Sequence, residues 1–205
     1  WKRGQILSLR HVRIHQSTGR WGGGISNDRG ELCLSASRID GNTATRRGGG
    51  IANSGLLIVR DRTLIENNSA NFSGGNRFGG GGILSLHGDT YLMESTQVRS
   101  NQPGGIVLVS GYDPLSGIVH GTAHLNGVYV ADNHGYQGGI ISTRGEHQIL
   151  YGSGAEQNSG NLTSQNFTDC CPELIIENST INFSTISFCS LTLFFTIWAI
   201  PSKFS

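Results

Sequence analysis

The sequence predicts an all-β protein: a single-stranded parallel β-helix of about six to seven coils with an irregular apolar tail at its C-terminal end. Three observations predict it. An aliphatic residue three places before an asparagine returns along most of the chain. A glycine run followed by isoleucine returns between those copies. No window carries a sustained helical period.

Aligned on the aliphatic position, the anchors are Val12, Ile39, Ile65, Val98, Val130, Ala155 and Ile181, with successive spacings of 27, 26, 33, 32, 25 and 26. Three places on stand His15, Asn42, Asn68, Asn101, Asn133, Asn158 and Ser184, so only the five inner copies carry asparagine, as expected when the outermost repeats are caps. The glycine runs are Gly22-Gly23-Gly24-Ile25, Gly48-Gly49-Gly50-Ile51, Gly80-Gly81-Gly82-Ile83, Gly104-Gly105-Ile106 and Gly138-Gly139-Ile140. Short Ile/Leu/Val segments punctuated by Gly and Asn read as strands joined by tight corners. One coil cannot bury its own apolar face, so neighbours stack about 4.8 Å apart and the anchors form one interior column. Each buried anchor contributes roughly 1.5–3 kcal/mol.

The asparagine suits a corner because it tolerates the left-handed conformation and its amide both donates and accepts. A structural ladder through Asn42, Asn68, Asn101, Asn133 and Asn158 is expected, each rung contributing on the order of 1 kcal/mol. The glycines supply positive φ and let one coil's backbone approach the next. They are not a phosphate-cradling loop, which needs Lys-Ser/Thr or a following helix.

The pairing of GGGI with Ile/Val-x-x-Asn resembles the chlamydial polymorphic outer-membrane protein repeat, whose pair is GGAI and FxxN. More broadly, it is similar to the right-handed parallel β-helices of pectin-lyase-like proteins and autotransporter passengers. The resemblance covers about residues 9–184. It implies a right-handed solenoid and a secreted or cell-surface protein, held at an outer membrane or anchored to one, with an adhesin-like role. Gly stands where that repeat has Ala, and Ile or Val where it has Phe.

Taken in order, residues 1–20 form a degenerate first coil in which Leu7, Leu9, Val12 and Ile14 point inward and His15 takes the asparagine place. Trp1–Arg10 lacks the pattern of a signal peptide, and with Trp in first place the sequence reads as a fragment or processed piece. In the next coils Leu32 and Leu34 flank Cys33, while Leu56 and Ile58 alternate with Leu57 and Val59, a strand expected to be buried on both faces. Asp40, Glu66 and Arg99 each follow an anchor and are expected to face solvent as a column of charge. The long third and fourth periods hold their excess in 71–78 and 111–117. Loops carried on a stiff scaffold are where binding concentrates, so Phe72, Phe78, Tyr112 and Asp113 are the candidate ligand-binding residues. His120 and His124 lie about 13 Å apart on a strand, too far to share a zinc ion.

Cys33 stands about five coils, some 24 Å, from Cys170 and is expected to be a free core thiol. Asn67 and Asn71 head two of six glycosylation sequons, which matter only in a eukaryotic secretory pathway. The repeat domain is placed at 1–184. The segment 185–205 is apolar and serves as cap strands or a membrane anchor, with membrane contact through 183–200.

Charged residues are 14% and net charge is +1, which argues against a nucleic-acid binder. No metal site, cofactor or catalytic residue is assigned. Hydrolases of this fold need carboxylates converging on one face, and no adjacent Asp pair occurs. The reading is a non-enzymatic spacer displaying two loops to a host or matrix protein or a polysaccharide. The alternative is a polysaccharide-active enzyme of the pectate lyase or polygalacturonase kind, or a remnant of one.

Overall fold

The computed structural model describes residues 5–71, 79–86, 88–109, 111–113, 117–119, 122–134, 140–143, 147–151, 154–156, 162–165, 173–177, 180–181 and 186–187, with side chains described only among those up to 109 and over 123–134. All regular structure among them is strand; none is helical.

Strands recur in a fixed order, and each pairs in parallel with its counterpart one repeat before and one after. A first seven-stranded sheet runs Ile6–Arg10, Glu31–Ser35, Leu56–Arg60, Asp89–Met93, Thr122–Asn126, His147–Tyr151 and Glu173–Glu177, in that spatial order. A second runs Arg13–His15, Arg38–Asp40, Leu64–Glu66, Gln97–Arg99, Tyr129–Ala131, Gly154–Glu156 and Thr180–Ile181. A third runs Ile25–Asn27, Ile51–Asn53, Ile83–Leu86, Ile106–Val109, Ile140–Thr143, Leu162–Gln165 and Ile186–Ser187. A short sheet joins Thr18–Trp21, Thr43–Arg47 and Ser69–Ala70. None of these sheets closes into a barrel.

The register follows the anchors. Ile14, Ile39, Ile65, Val98, Val130, Ala155 and Ile181 pair in single file along the second sheet. The first member of the file is therefore Ile14, not Val12. The leading repeat is two residues shorter than its alignment on Val12 implies, and Arg13-Ile14 matches Arg38-Ile39 strand for strand. From Ile39 to Val130 the file is fully or almost fully buried. It joins Leu32, Leu34, Leu57, Val59, Leu92 and Leu125 of the first sheet and Ile51, Ile83, Ile106 and Leu108 of the third in one cluster. Leu7, Leu9, Ile14 and Ile25, in the first repeat, pack on that cluster while only partly buried. Alternation along each first-sheet strand turns Leu57 and Val59 inward, while Leu56 and Ile58 on the outer face are half-buried rather than enclosed.

Cys33 is also outward. It sits between Ser8 and Ile58 in register, is half-buried, and is a free thiol on the sheet's outer face rather than in the core. Strand alternation explains the difference, because the flanking Leu32 and Leu34 take the inward positions.

Candidate functional site

The best-formed polar arrangement is the amide ladder at the corner after the second sheet. Asn42 Nδ2 donates to Asn68 Oδ1, Asn68 Nδ2 to Asn101 Oδ1, and Asn101 Nδ2 to Asn133 Oδ1, each at 3.0 Å. Each accepting oxygen also takes the backbone N–H of the preceding asparagine. Each Nδ2 spends its second hydrogen on an anchor carbonyl one repeat back: Ile14, Ile39, Ile65 and Val98 in turn. All four side chains are buried, and buried amides remain there only when their bonds are met. Asn158 lies outside the described residues.

Two details differ from the sequence reading. The ladder begins on Ser17, whose backbone N–H donates to Asn42 Oδ1, whereas His15 pairs in register with Asp40. The left-handed residue is the one before Ser17 and before each ladder asparagine: Gln16, Gly41, Asn67, Ser100 and Asp132, with φ between 51° and 64°. The ladder asparagines are not among the left-handed residues, and join the ladder through side-chain amide and backbone N–H.

The glycine runs fit against this ladder, each member for its own reason. The first, as in Gly48, is left-handed with φ at 70°. The second meets backbone, a Cβ at Gly49 lying 2.4 Å from both the Gly81 and the Ser69 carbonyl oxygens. The third faces the ladder, a Cβ at Gly50 lying 3.0 Å from Asn68 Nδ2.

Two further corner columns carried no signal in the repeat alignment. Ser37, Thr63 and Thr96 occupy one corner: Ser37 N–H donates to Thr63 Oγ1 at 3.2 Å, and the threonine hydroxyls cap the Arg60 and Met93 carbonyls. Asn27 and Asn53 form a second amide pair at 2.8 Å, and Ser85 follows them in register. Read at the repeat interval, Ser37-Thr63-Thr96 and Asn27-Asn53 are visible once the first column fixes the frame.

The charged column departs most from expectation. Asp40 and Glu66 are 8% and 4% exposed, not solvent-facing. Arg13 grips Asp40 with both ends of its guanidinium, at 2.8 and 2.6 Å. Arg38 bridges Asp40 and Glu66, and Arg99 holds Glu66 at 2.8 Å. These half-exposed arginines cover the carboxylates and replace water as their hydrogen-bond donors. Arg13, above all through its hydrogen bond, holds the Asp40 carboxyl below the usual carboxylate range. At the neighbouring corner Asp61 is likewise held low, first by the Ser35 hydroxyl and then by the Glu94 side chain. Between these corners a shallow groove of about 510 Å³ is lined by His11, Arg13, Ser37, Arg38, Arg62 and Leu64 among others.

Of the candidate binding residues, Phe72 and Phe78 lie outside the described residues. The backbone of Tyr112 and Asp113 belongs to the strand Gly111–Asp113, which pairs antiparallel with Gly117–Val119. The second insertion is thus built as a hairpin in the only antiparallel pairing among the described strands. His124 stacks on Tyr91 with ring centroids 4.6 Å apart; His120, Cys170, Cys171 and Cys189 fall outside the described residues. Among the described residues no group of three His, Cys, Asp or Glu is placed to hold a metal ion. No helix among them is long and apolar enough to cross a membrane; most of the 183–200 segment lies outside them. No protein-family model matches the chain, and neither a curated protein nor a solved structure matches it significantly.

Proposed function

We propose that the chain is a right-handed parallel β-helix of about six to seven coils acting as a non-enzymatic spacer at a cell surface or outside the cell. It presents the excursions at 71–78 and 111–117 to a host or matrix protein or a polysaccharide.

One observation carries this reading. Asn42 and Asn68 are 26 residues apart, Asn68 and Asn101 33, and Asn101 and Asn133 32, yet the amide bonds are all 3.0 Å. The ladder bonds keep one length across both long repeats, and in the second of them Gly111–Asp113 pairs antiparallel with Gly117–Val119. A scaffold that absorbs insertions without losing register is suited to carrying variable loops. The enzymatic alternative draws less support, because the buried carboxylates among the described residues, Asp40 and Glu66, are each paired with arginines that hold them in the charged, structural role of an ion pair.

The test coats beads with the protein and measures adhesion to extracellular-matrix proteins, glycans and cells. Wild type is compared with a variant whose 112–118 segment is a short Gly-Ser link. Adhesion that falls with the hairpin supports display. Depolymerisation of pectin-type polysaccharides, assayed with and without calcium, overturns it.

A further inference from the structure

The outward face of the first sheet carries charge in a pattern that is complementary to itself. Glu31 and Asp89 stand in register on the side where its strands begin. Arg10 and Arg60 stand on the side where they end, flanking Ser35 in register. Between them runs an uncharged column that includes Cys33, Ile58 and Tyr91, all half-buried by their neighbours and all pointing away from the core. Tyr91 is braced by its stack on His124. Arg60 also lies 3.7 Å from Asp61 at the corner, with both side chains close to half exposed, so this pair leaves the guanidinium open to a second carboxylate.

We propose that this face is the contact between two copies of the chain, related by a twofold axis along the direction in which the strands stack. That rotation keeps each repeat level with its counterpart and reverses the strands, so the acidic edge of one copy covers the basic edge of the other. Arg60 of one copy then falls between Glu31 and Asp89 of the other, each one strand spacing, about 4.8 Å, away along the axis. Ile58 and Tyr91 meet their own counterparts on the axis, which is what an isologous contact requires. A twofold axis along the strands instead lays acid on acid and base on base, and is rejected by like-charge repulsion. The face measures roughly 17 Å by 24–34 Å from strand geometry, about 400–600 Å² per copy. That total sits at the lower limit for a specific interface, so the dimer is weak and concentration-dependent.

Sedimentation velocity on the full chain, from micromolar to near-millimolar concentration, is expected to show reversible dimerisation. Ile58→Asp abolishes it while circular dichroism stays unchanged, and Arg60→Glu weakens it at least tenfold. Reversing the whole set, Glu31→Arg and Asp89→Arg together with Arg10→Glu and Arg60→Glu, restores it. A short bismaleimide joins Cys33 to Cys33, read by peptide mass mapping. A monomer at every concentration, a dimer indifferent to Ile58→Asp, failure of the charge reversal to restore association, or cross-links only through other cysteines overturns the proposal. None of these outcomes depends on whether the loops bind a partner.

Discussion

Gly82 and Asn101 compete for one small space: a Cβ at Gly82 would stand 2.9 Å from Asn101 Nδ2 and 2.5 Å from the Gly105 carbonyl oxygen. Gly24 with Asn42, and Gly50 with Asn68, repeat the relationship. The two sequence signals of the repeat are therefore halves of one device, an amide that needs a neighbour without a side chain.

Gly82→Ala is accordingly expected to cost about 1–3 kcal/mol or more, because the obstruction is backbone and cannot swing aside. Gly41→Ala is the control. It has a φ of 64° but open space around its Cβ, so only the left-handed strain of about 1 kcal/mol applies. Denaturant midpoints of the two variants rank them. Equal losses would mean that crowding plays no part.

Asn101→Ala removes two donors and a doubly used acceptor at once. It strands the Asn68 N–H, the Asn68 amide and the Ile65 carbonyl in a buried corner. A loss of about 3 kcal/mol or more is expected, against less than about 0.5 kcal/mol for exposed Asn126→Ala. Similar melting shifts for both would count against the stacked amides.

The depressed pKa of Asp40 fixes the sign of an acid effect. A carboxyl held low when folded contributes stability that is present above its unfolded pKa of about 4 and lost as pH falls through the folded value. Arg13→Gln removes the largest cause of that depression. The variant is expected to melt lower than wild type at pH 7, with the gap closing as pH drops below about 4. A gap constant from pH 7 to acid would rule out the pairing as its source.

Replacing 112–118 with a short Gly-Ser link is expected to change stability by less than about 0.5 kcal/mol, because the Asn101–Asn133 rung keeps its 3.0 Å length across the insertion. A large loss would mean that the hairpin braces the stack. The unfolding temperature, followed by circular dichroism, reads this directly.

The parallel arrangement of strands was legible because its determinants are periodic and chemically uniform: Ile39, Ile65 and Val98 look alike, as do Asn42, Asn68 and Asn101. The left-handed corner position was not. Gln16, Gly41, Asn67, Ser100 and Asp132 share a conformation but no chemistry, since positive φ costs too little to demand one residue type. The burial of Asp40 and Glu66 escaped for another reason. Their cover comes from Arg13, Arg38 and Arg99, which lie on three different strands. The place of Ile14 at the head of the file has no mark in the sequence, because the leading repeat carries Ser17 where the others carry the aligning asparagine.

Every rung of the ladder points the same way, with the amide nitrogen of one repeat giving to the oxygen of the next. A cut anywhere exposes one giving end and one taking end, and these match those of any other cut. Removing or duplicating a whole unit would thus rejoin compatible halves. Each such unit would change the length of the stack by one strand spacing, about 4.8 Å, with no new kind of joint.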